Sequence, residues 1–206
     1  MKLLNRFLNT KAGLSKKTRR NTVWCGFLSM AFWACPLLVF GQSLLLTPKT
    51  PTQLGLTTQF GIYEDKTSRL SFDAVKKVTF TQSNRKAIYI PFSTHTFWYK
   101  VTLKNGTSDE QTRVLKWNST LTEQVDFYVP DQTNSYKIEK GGTFIPSNQL
   151  VYTAEEPYTS VKLAPQEEKI LFVRIQSQRA HYGSMTLYTA ASLVTSQLRE
   201  FKHMGF

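Results

Sequence analysis

The residues from Thr96 to Val129 read TFWYKVTLKNGTSDEQTRVLKWNSTLTEQVDFYV. Apolar and polar side chains alternate there in three short runs. In Thr96–Leu103, Phe97, Tyr99, Val101 and Leu103 fall on one side, with Trp98, Lys100 and Thr102 on the other. Thr112–Trp117 and Gln124–Val129 repeat the period of two. A helix would scatter these apolar residues around its circumference, so the runs predict strands. Asn105-Gly106 predicts a tight reversal, because both residues tolerate positive φ.

Working outward, Ile88-Tyr89-Ile90 predicts a short strand stopped by Pro91, and Tyr136–Ile138 another. Gly141-Gly142 breaks the chain, and Phe144-Ile145 is punctuated by Pro146. Leu150–Thr153, Tyr158–Leu163, Ile170–Ser177 and Met185–Tyr188 complete the set, with Ala164–Glu168 as a turn. Strands at such even spacing, with turn chemistry between them, predict an all-β fold: an antiparallel jelly roll or β-sandwich. Asp65 precedes a Ser/Thr/Arg cluster, and Ser71 followed by Ala74 makes a poor capping box. Any helix at Ser71–Lys77 is therefore a single short turn. In Ser192–Phe206, Val194, Leu198 and Phe201 keep a helical spacing, which predicts a short amphipathic C-terminal helix. The expected organisation is a signal segment at 1–41, an extended lead-in at 42–53, the sandwich at 54–190 and a tail at 191–206.

The charge belongs largely to the leader. The chain has 26 Lys and Arg against 14 Asp and Glu. Seven of the basic residues (Lys2, Arg6, Lys11, Lys16, Lys17, Arg19, Arg20) precede position 42, with no acidic one. Without them the balance falls from +12 to +5. A nucleic-acid partner thereby loses its main support. A basic n-region, the apolar run Val23–Phe40 and Val39-Phe40-Gly41 before Gln42 predict an export signal cut after Gly41. Retention of Val23–Phe40 as an anchor is the alternative. Lipidation at Cys35 fits less well, because Phe32-Trp33-Ala34 is a bulky approach. Both cysteines, Cys25 and Cys35, lie in this segment, so the exported part contains no disulfide and no thiolate chemistry.

Catalysis is poorly supplied. His95, His181 and His203 show no metal-ligand spacing, and there is no nucleophile elbow, P-loop or dinucleotide loop. Glu155-Glu156 and Glu167-Glu168 sit in polar turns near prolines, the setting of solvated loops. Asn105-Gly106-Thr107 and Asn118-Ser119-Thr120 match glycosylation acceptors, a pattern that arises readily by chance. No cofactor, metal or enzymatic activity is expected.

The aromatic residues point instead to recognition. Trp98 shares a face with Lys100, Arg113 with Trp117, and Arg174 with Gln176. An aromatic plane flanked by cations and amides can stack on a sugar ring and bind its hydroxyls. Trp98, Lys100, Arg113, Trp117 and Arg174 are accordingly the candidate contacts for a small ligand such as a carbohydrate. The opposing expectation is that Trp98 and Trp117 fill a second core layer beneath a loop.

The series FWYKVTLKN, then Val125-Asp126-Phe127-Tyr128-Val129, Gly141-Gly142…Pro146 and Leu171-Phe172-Val173-Arg174-Ile175-Gln176-Ser177 resembles a known family. It is the second type of extracellular sensor domain of bacterial seven-transmembrane receptors with diverse intracellular signalling modules. There too a tryptophan strand ends at an asparagine turn, as Trp98 and Asn105 do here. Tyr63-Glu64-Asp65 and Leu70-Ser71-Phe72 are similar to the family's opening. The resemblance implies a carbohydrate-binding-module-like jelly roll, exported and fixed ahead of a membrane bundle with a kinase or cyclase output. Ser192–Phe206 would approach the first membrane helix. Because the chain stops before any bundle, the expectation is a fragment of a longer receptor or a sensor working as a separate piece. An exported interaction or structural module is the alternative function; a hydrolase would need a catalytic pair.

Overall fold

The computed structural model describes residues 43–56, 58–83, 87–133, 135–146, 148 and 156–203, with backbone only for 200–203. The leader, the expected strand at 150–153 and most of the polar loop after Ser83 lie outside the described residues. The strands are β1 (Leu44–Leu46), β2 (Gln53–Gly55), β3 (Phe60–Asp65), β4 (Thr81–Gln82), β5 (Ile88–Ile90), β6 (Thr96–Asn105), β7 (Gln111–Trp117), β8 (Gln124–Pro130), β9 (Tyr136–Gly141), β10 (Tyr158–Leu163), β11 (Glu168–Gln176), β12 (His181–Gly183) and β13 (Met185–Thr189). Among the described residues two helices accompany them, α1 (Phe72–Val75) and α2 (Ala190–His203).

The strands form an antiparallel sandwich. One sheet runs β4-β3-β6-β11-β8-β9, with β1 added parallel to the far end of β6; the other runs β10-β7-β13-β2. A two-stranded ribbon, β12-β5, stands apart from both sheets. The stretch expected as an extended lead-in supplies β1 to one sheet and β2 to the other. The Phe144-Ile145 stretch forms no strand.

Alternation fills the core. Phe97, Tyr99, Val101 and Leu103 of β6 meet Val125 and Phe127 of β8 and Leu171, Val173 and Ile175 of β11 on one inner face. Leu115 and Trp117 of β7, with Val161, Leu163, Met185 and Leu187, face them from the second sheet. Trp117 is completely buried, and full burial of one large apolar side chain stabilises by about 1.5–3 kcal/mol. Its indole N–H donates to Thr122 Oγ1 at 2.7 Å; Thr122 lies 2.8 Å from His181 Nε2, and His181 Nδ1 lies 2.8 Å from the Arg179 carbonyl. This chain supplies partners to polar groups that could not be left bare in the interior. Gly183, next to it on the ribbon, lets the backbone touch the indole: a Cβ there would fall 2.2 Å from Trp117 Cζ2.

The Asn105-Gly106 reading needs correction. β6 and β7 lie in different sheets, so the link is a crossing between layers and not a tight hairpin. Among the described residues, positive φ occurs at Ser68, Gln166 and Gly142, and not at this turn. Asn105 is fully buried and works as a staple. Its amide N–H groups donate to the carbonyls of Asp109, Leu163 and Ala164 at 2.8, 3.2 and 2.9 Å, while its Oδ1 accepts from Thr107 N and Oγ1. Burial also removes it as a glycosylation acceptor. Gly106 is small because β1 passes close by, and a Cβ there would stand 2.8 Å from Leu45 Cδ1.

Candidate functional site

On the seven-stranded sheet, the face turned away from the main core is built by the second alternation set. Cross-strand register places Trp98 of β6, Arg174 of β11 and Asp126 of β8 in one row. The next row holds Thr96, Gln176 and Gln124. A third, on the other side, holds Lys100, Phe172 and Tyr128.

Part of this face is roofed. The segment after β3 turns at Asp65, whose Oδ1 accepts from Thr67 N at 3.0 Å and Thr67 Oγ1 at 2.7 Å, while Oδ2 accepts from Leu70 N at 3.0 Å. Burial alone would raise the Asp65 pKa, but these hydrogen bonds together outweigh it and hold the carboxyl below its ordinary value. Ser71 then caps α1, a single turn as its weak capping box predicts. This roof lays Leu70, Phe72, Val75 and Phe80 over Trp98, Tyr128, Tyr136 and Phe172. The Phe72 ring stacks on Tyr128 with centroids 4.3 Å apart and meets Tyr136 and Phe172 edge-on at 4.8 and 5.3 Å. Lys76 sits 5.2 Å above the same ring.

Beyond the roof the face turns polar. Arg174 Nη1 lies 3.0 Å from Asp126 Oδ2, Arg174 Nη2 donates to Gln176 Oε1 at 2.8 Å, and Gln124 Nε2 donates to Asp126 Oδ2 at 2.8 Å. Asp126 is buried, and Arg174 retains 19% side-chain exposure. Three buried side-chain atoms around this pair have no hydrogen-bond partner among the described residues: Asp126 Oδ1, Trp98 Nε1 and Thr96 Oγ1. They fall on the Arg174 and Gln176 rows of one sheet face. Tyr128, alongside, has its pKa raised by burial and by the Asp126 charge, with Arg174 partly opposing.

The structure therefore divides the five sequence candidates. Trp98, Lys100 and Arg174 share this face, although Trp98 is only 1% exposed beneath the roof. Lys100 leans toward Phe80 at 6.0 Å, on the far side of the roof from Gln176. Arg113 and Trp117 belong to the other sheet and face inward, Trp117 within the main core. Trp98 thus points away from that core, as its alternation requires, yet fills a second apolar layer.

Sequence reasoning placed the β5 strand of the ribbon but overlooked its partner β12 and the tyrosine pair between them. Tyr89 and Tyr182 are cross-strand partners there, with ring centroids 5.1 Å apart and exposures of 47% and 70%. The alternation of Ile88-Tyr89-Ile90, with both isoleucines buried, carries the signal for an outward tyrosine.

Catalytic geometry is thin. His95 Nδ1 lies 2.6 Å from Glu64 Oε1, but the nearby Ser93 hydroxyl bonds the backbone amide of His95 and not its ring. Among the described residues no cluster of three or more His, Cys, Asp or Glu could hold a metal ion. No helix among them is long and apolar enough to cross a membrane.

The family 7TMR-DISM extracellular 2 matches residues 57–189 of this chain. The chain belongs to that family. Membership makes the 7TMR-DISM extracellular 2 domain an exported sensor module of a class of membrane receptors with intracellular signalling modules, in keeping with the resemblance read from the Trp98 strand. No curated protein matches the chain. Among solved structures, a β-glucosidase from Kluyveromyces marxianus is similar at 10% identity and a TM-score of 0.38, over 68% of this chain and 17% of its own length. TmCBM61, solved in complex with β-1,4-galactotriose, is similar at 10% identity and a TM-score of 0.36, over 66% of this chain and 94% of its own. Neither likeness bears on what this domain binds.

Proposed function

We propose that this domain is the non-catalytic, extracytoplasmic sensing part of a bacterial membrane signalling receptor, and that it binds a small hydroxyl-rich ligand, a carbohydrate, at the polar end of the seven-stranded sheet. The observation that carries the reading is the set of unpartnered buried atoms around Arg174. Bare buried donors and acceptors each cost about 1–3 kcal/mol, and three of them on neighbouring rows are what a site built for a polar ligand leaves open. The set has the mixed character of a sugar's complement. Asp126 Oδ1 accepts, Trp98 Nε1 donates, and Thr96 Oγ1 does either. The half-buried amides of Gln124 and Gln176 extend the same row. In this reading Arg174 orients the ligand and Trp98 contributes its N–H and not its ring face. Lys100, Arg113 and Trp117 take no part. The domain sits on the periplasmic side of the inner membrane, and its downstream partner is a membrane bundle carrying a cytoplasmic kinase or cyclase output.

The test is titration of the full chain with a panel of cell-wall and plant sugars, followed by calorimetry and tryptophan fluorescence. A saturable response is expected, weakened at least tenfold by Gln176→Ala, which leaves the Arg174–Asp126 pair intact, and abolished by Asp126→Asn with Arg174→Met. No response to any sugar, or unaltered affinity in those variants, overturns the reading. The exposed tyrosines of the ribbon favour a second reading, a docking module for another protein. Capture of one partner that Tyr182→Glu releases, with no sugar response, would select it.

A further inference from the structure

The second sheet holds an arginine that the site above does not use. Arg113 lies one row in from the start of β7 at Gln111, level with Thr189, the last residue of β13, and with Val161 of β10. It is only 5% exposed, and its alternation turns it to the inner side of the sheet. Among the described residues its one hydrogen bond is long, Nη2 to Gln111 Oε1 at 3.4 Å, and its buried Nε has no partner. Among the described residues no carboxylate pairs with it, whereas Arg174 and Lys116, also largely buried, each have one. Burial pushes its pKa down from the ordinary arginine value, and no neighbouring charge opposes the shift.

A guanidinium stays protonated in proteins and presents five N–H donors in a rigid fork. Removing it from water without an anion is strongly unfavourable, so a buried arginine normally has a counter-charge. Its row supplies none, because Val161 is apolar and Thr189 neutral. Thr189 also caps α2: its Oγ1 accepts from Ser192 N at 3.2 Å, and Ser192 Oγ accepts from Thr189 N at 3.1 Å.

We propose that Arg113 anchors a second binding site, at this end of the smaller sheet, for a small ligand bearing a single carboxylate. One isolated guanidinium balances one negative charge, and its two parallel N–H groups match the two carboxylate oxygens. A phosphate would need further cations that the row lacks. The site does not rest on the carbohydrate reading, since the Arg174 rows lie on the outer face of the opposite sheet.

The experiment follows thermal unfolding of the full 206-residue chain in sodium acetate, sodium phosphate and sodium chloride at matched ionic strength and pH. Arg113→Met, Arg113→Lys and, as a control, Gln176→Ala are measured beside wild type. Acetate is expected to raise the wild-type Tm by about 3–5 °C at ten times its Kd relative to chloride, with phosphate doing less. Gln176→Ala keeps the whole gain. Arg113→Lys, which retains the charge and loses the fork, weakens acetate binding at least tenfold, and this comparison decides the matter even if Arg113→Met fails to fold. Arg113→Met removes the gain, which also subtracts anion binding by the basic residues of 1–41, and raises the Tm in chloride. The proposal is overturned if acetate gives no gain over chloride, if phosphate matches or exceeds acetate, or if either Arg113 variant keeps the wild-type response.

Discussion

Replacing Phe72 with alanine isolates the roof over the seven-stranded sheet. Phe72 is half-buried, and its ring touches four others, Trp98, Tyr128, Tyr136 and Phe172. Phe→Ala in a full core costs about 3–5 kcal/mol. Half-burial scales this down, and the loss of stacking on Tyr128 returns part of it, so about 2–3 kcal/mol is expected. The cost should fall first on the roof, which is otherwise held by Leu70, Val75, Phe80, the Asp65 turn and the bond from Ser68 Oγ to the Thr94 carbonyl. The assay pairs urea unfolding with acrylamide quenching of tryptophan, the Trp98 share being obtained by difference from Trp98→Phe. Trp98 should become accessible to quencher at urea concentrations well below the global midpoint. If stability stays within about 0.5 kcal/mol of wild type and Trp98 remains shielded, the roof is not held by this ring and the two-layer description fails.

Three further outcomes follow from the packing. Gly183→Ala forces a methyl into the Trp117 indole and should destabilise by about 1–3 kcal/mol, read as a lowered urea midpoint at constant slope. Thr122→Val breaks the link between Trp117 and His181 and leaves both without their hydroxyl partner; a loss of about 1–3 kcal/mol is expected by thermal unfolding, against a near-neutral Thr133→Val in an exposed turn. Because the folded Asp65 carboxyl titrates below its ordinary value, its contribution is complete above the unfolded pKa, about 3.9, and is lost as pH falls through the lower folded value. Trp98 quenching should therefore rise in that acidic window, and in Asp65→Asn at neutral pH.

The sandwich was legible because one face of each long strand is apolar without interruption, as in Phe97, Tyr99, Val101 and Leu103. The roof was not, for a physical reason: Trp98, Phe172 and Tyr128 are apolar on the opposite face as well, and near-continuous apolarity marks a strand covered on both sides. A period-of-two reading assigns such residues to solvent unless the covering segment is known, and Leu70, Phe72 and Val75 show only that a turn exists. Asn105 was read through the conformational freedom that asparagine shares with glycine, whereas its side-chain amide holds three carbonyls. For the candidate site, Trp98 beside Lys100 and Arg174 beside Gln176 were visible as alternation, each within its own strand. Asp126 joined them only when register paired β11 with β8, because cross-strand neighbours carry no trace in a single strand's sequence. Arg113 stood out by its residue type, but its lack of a counter-ion is a property of the packed molecule.

The run from β13 into α2 has no intervening loop. Thr189 ends the strand and caps the helix, and Leu193 pins the first turn against Val114 and Tyr188 of the sheet. With 14 residues, α2 extends about 21 Å at 1.5 Å per residue. It is a lever arm with its fulcrum on the sheet: a tilt of about 5° at the cap sweeps the far end through about 2 Å. Any rearrangement that alters the twist of β13 by a few degrees is thus magnified into an ångström-scale stroke at the other end.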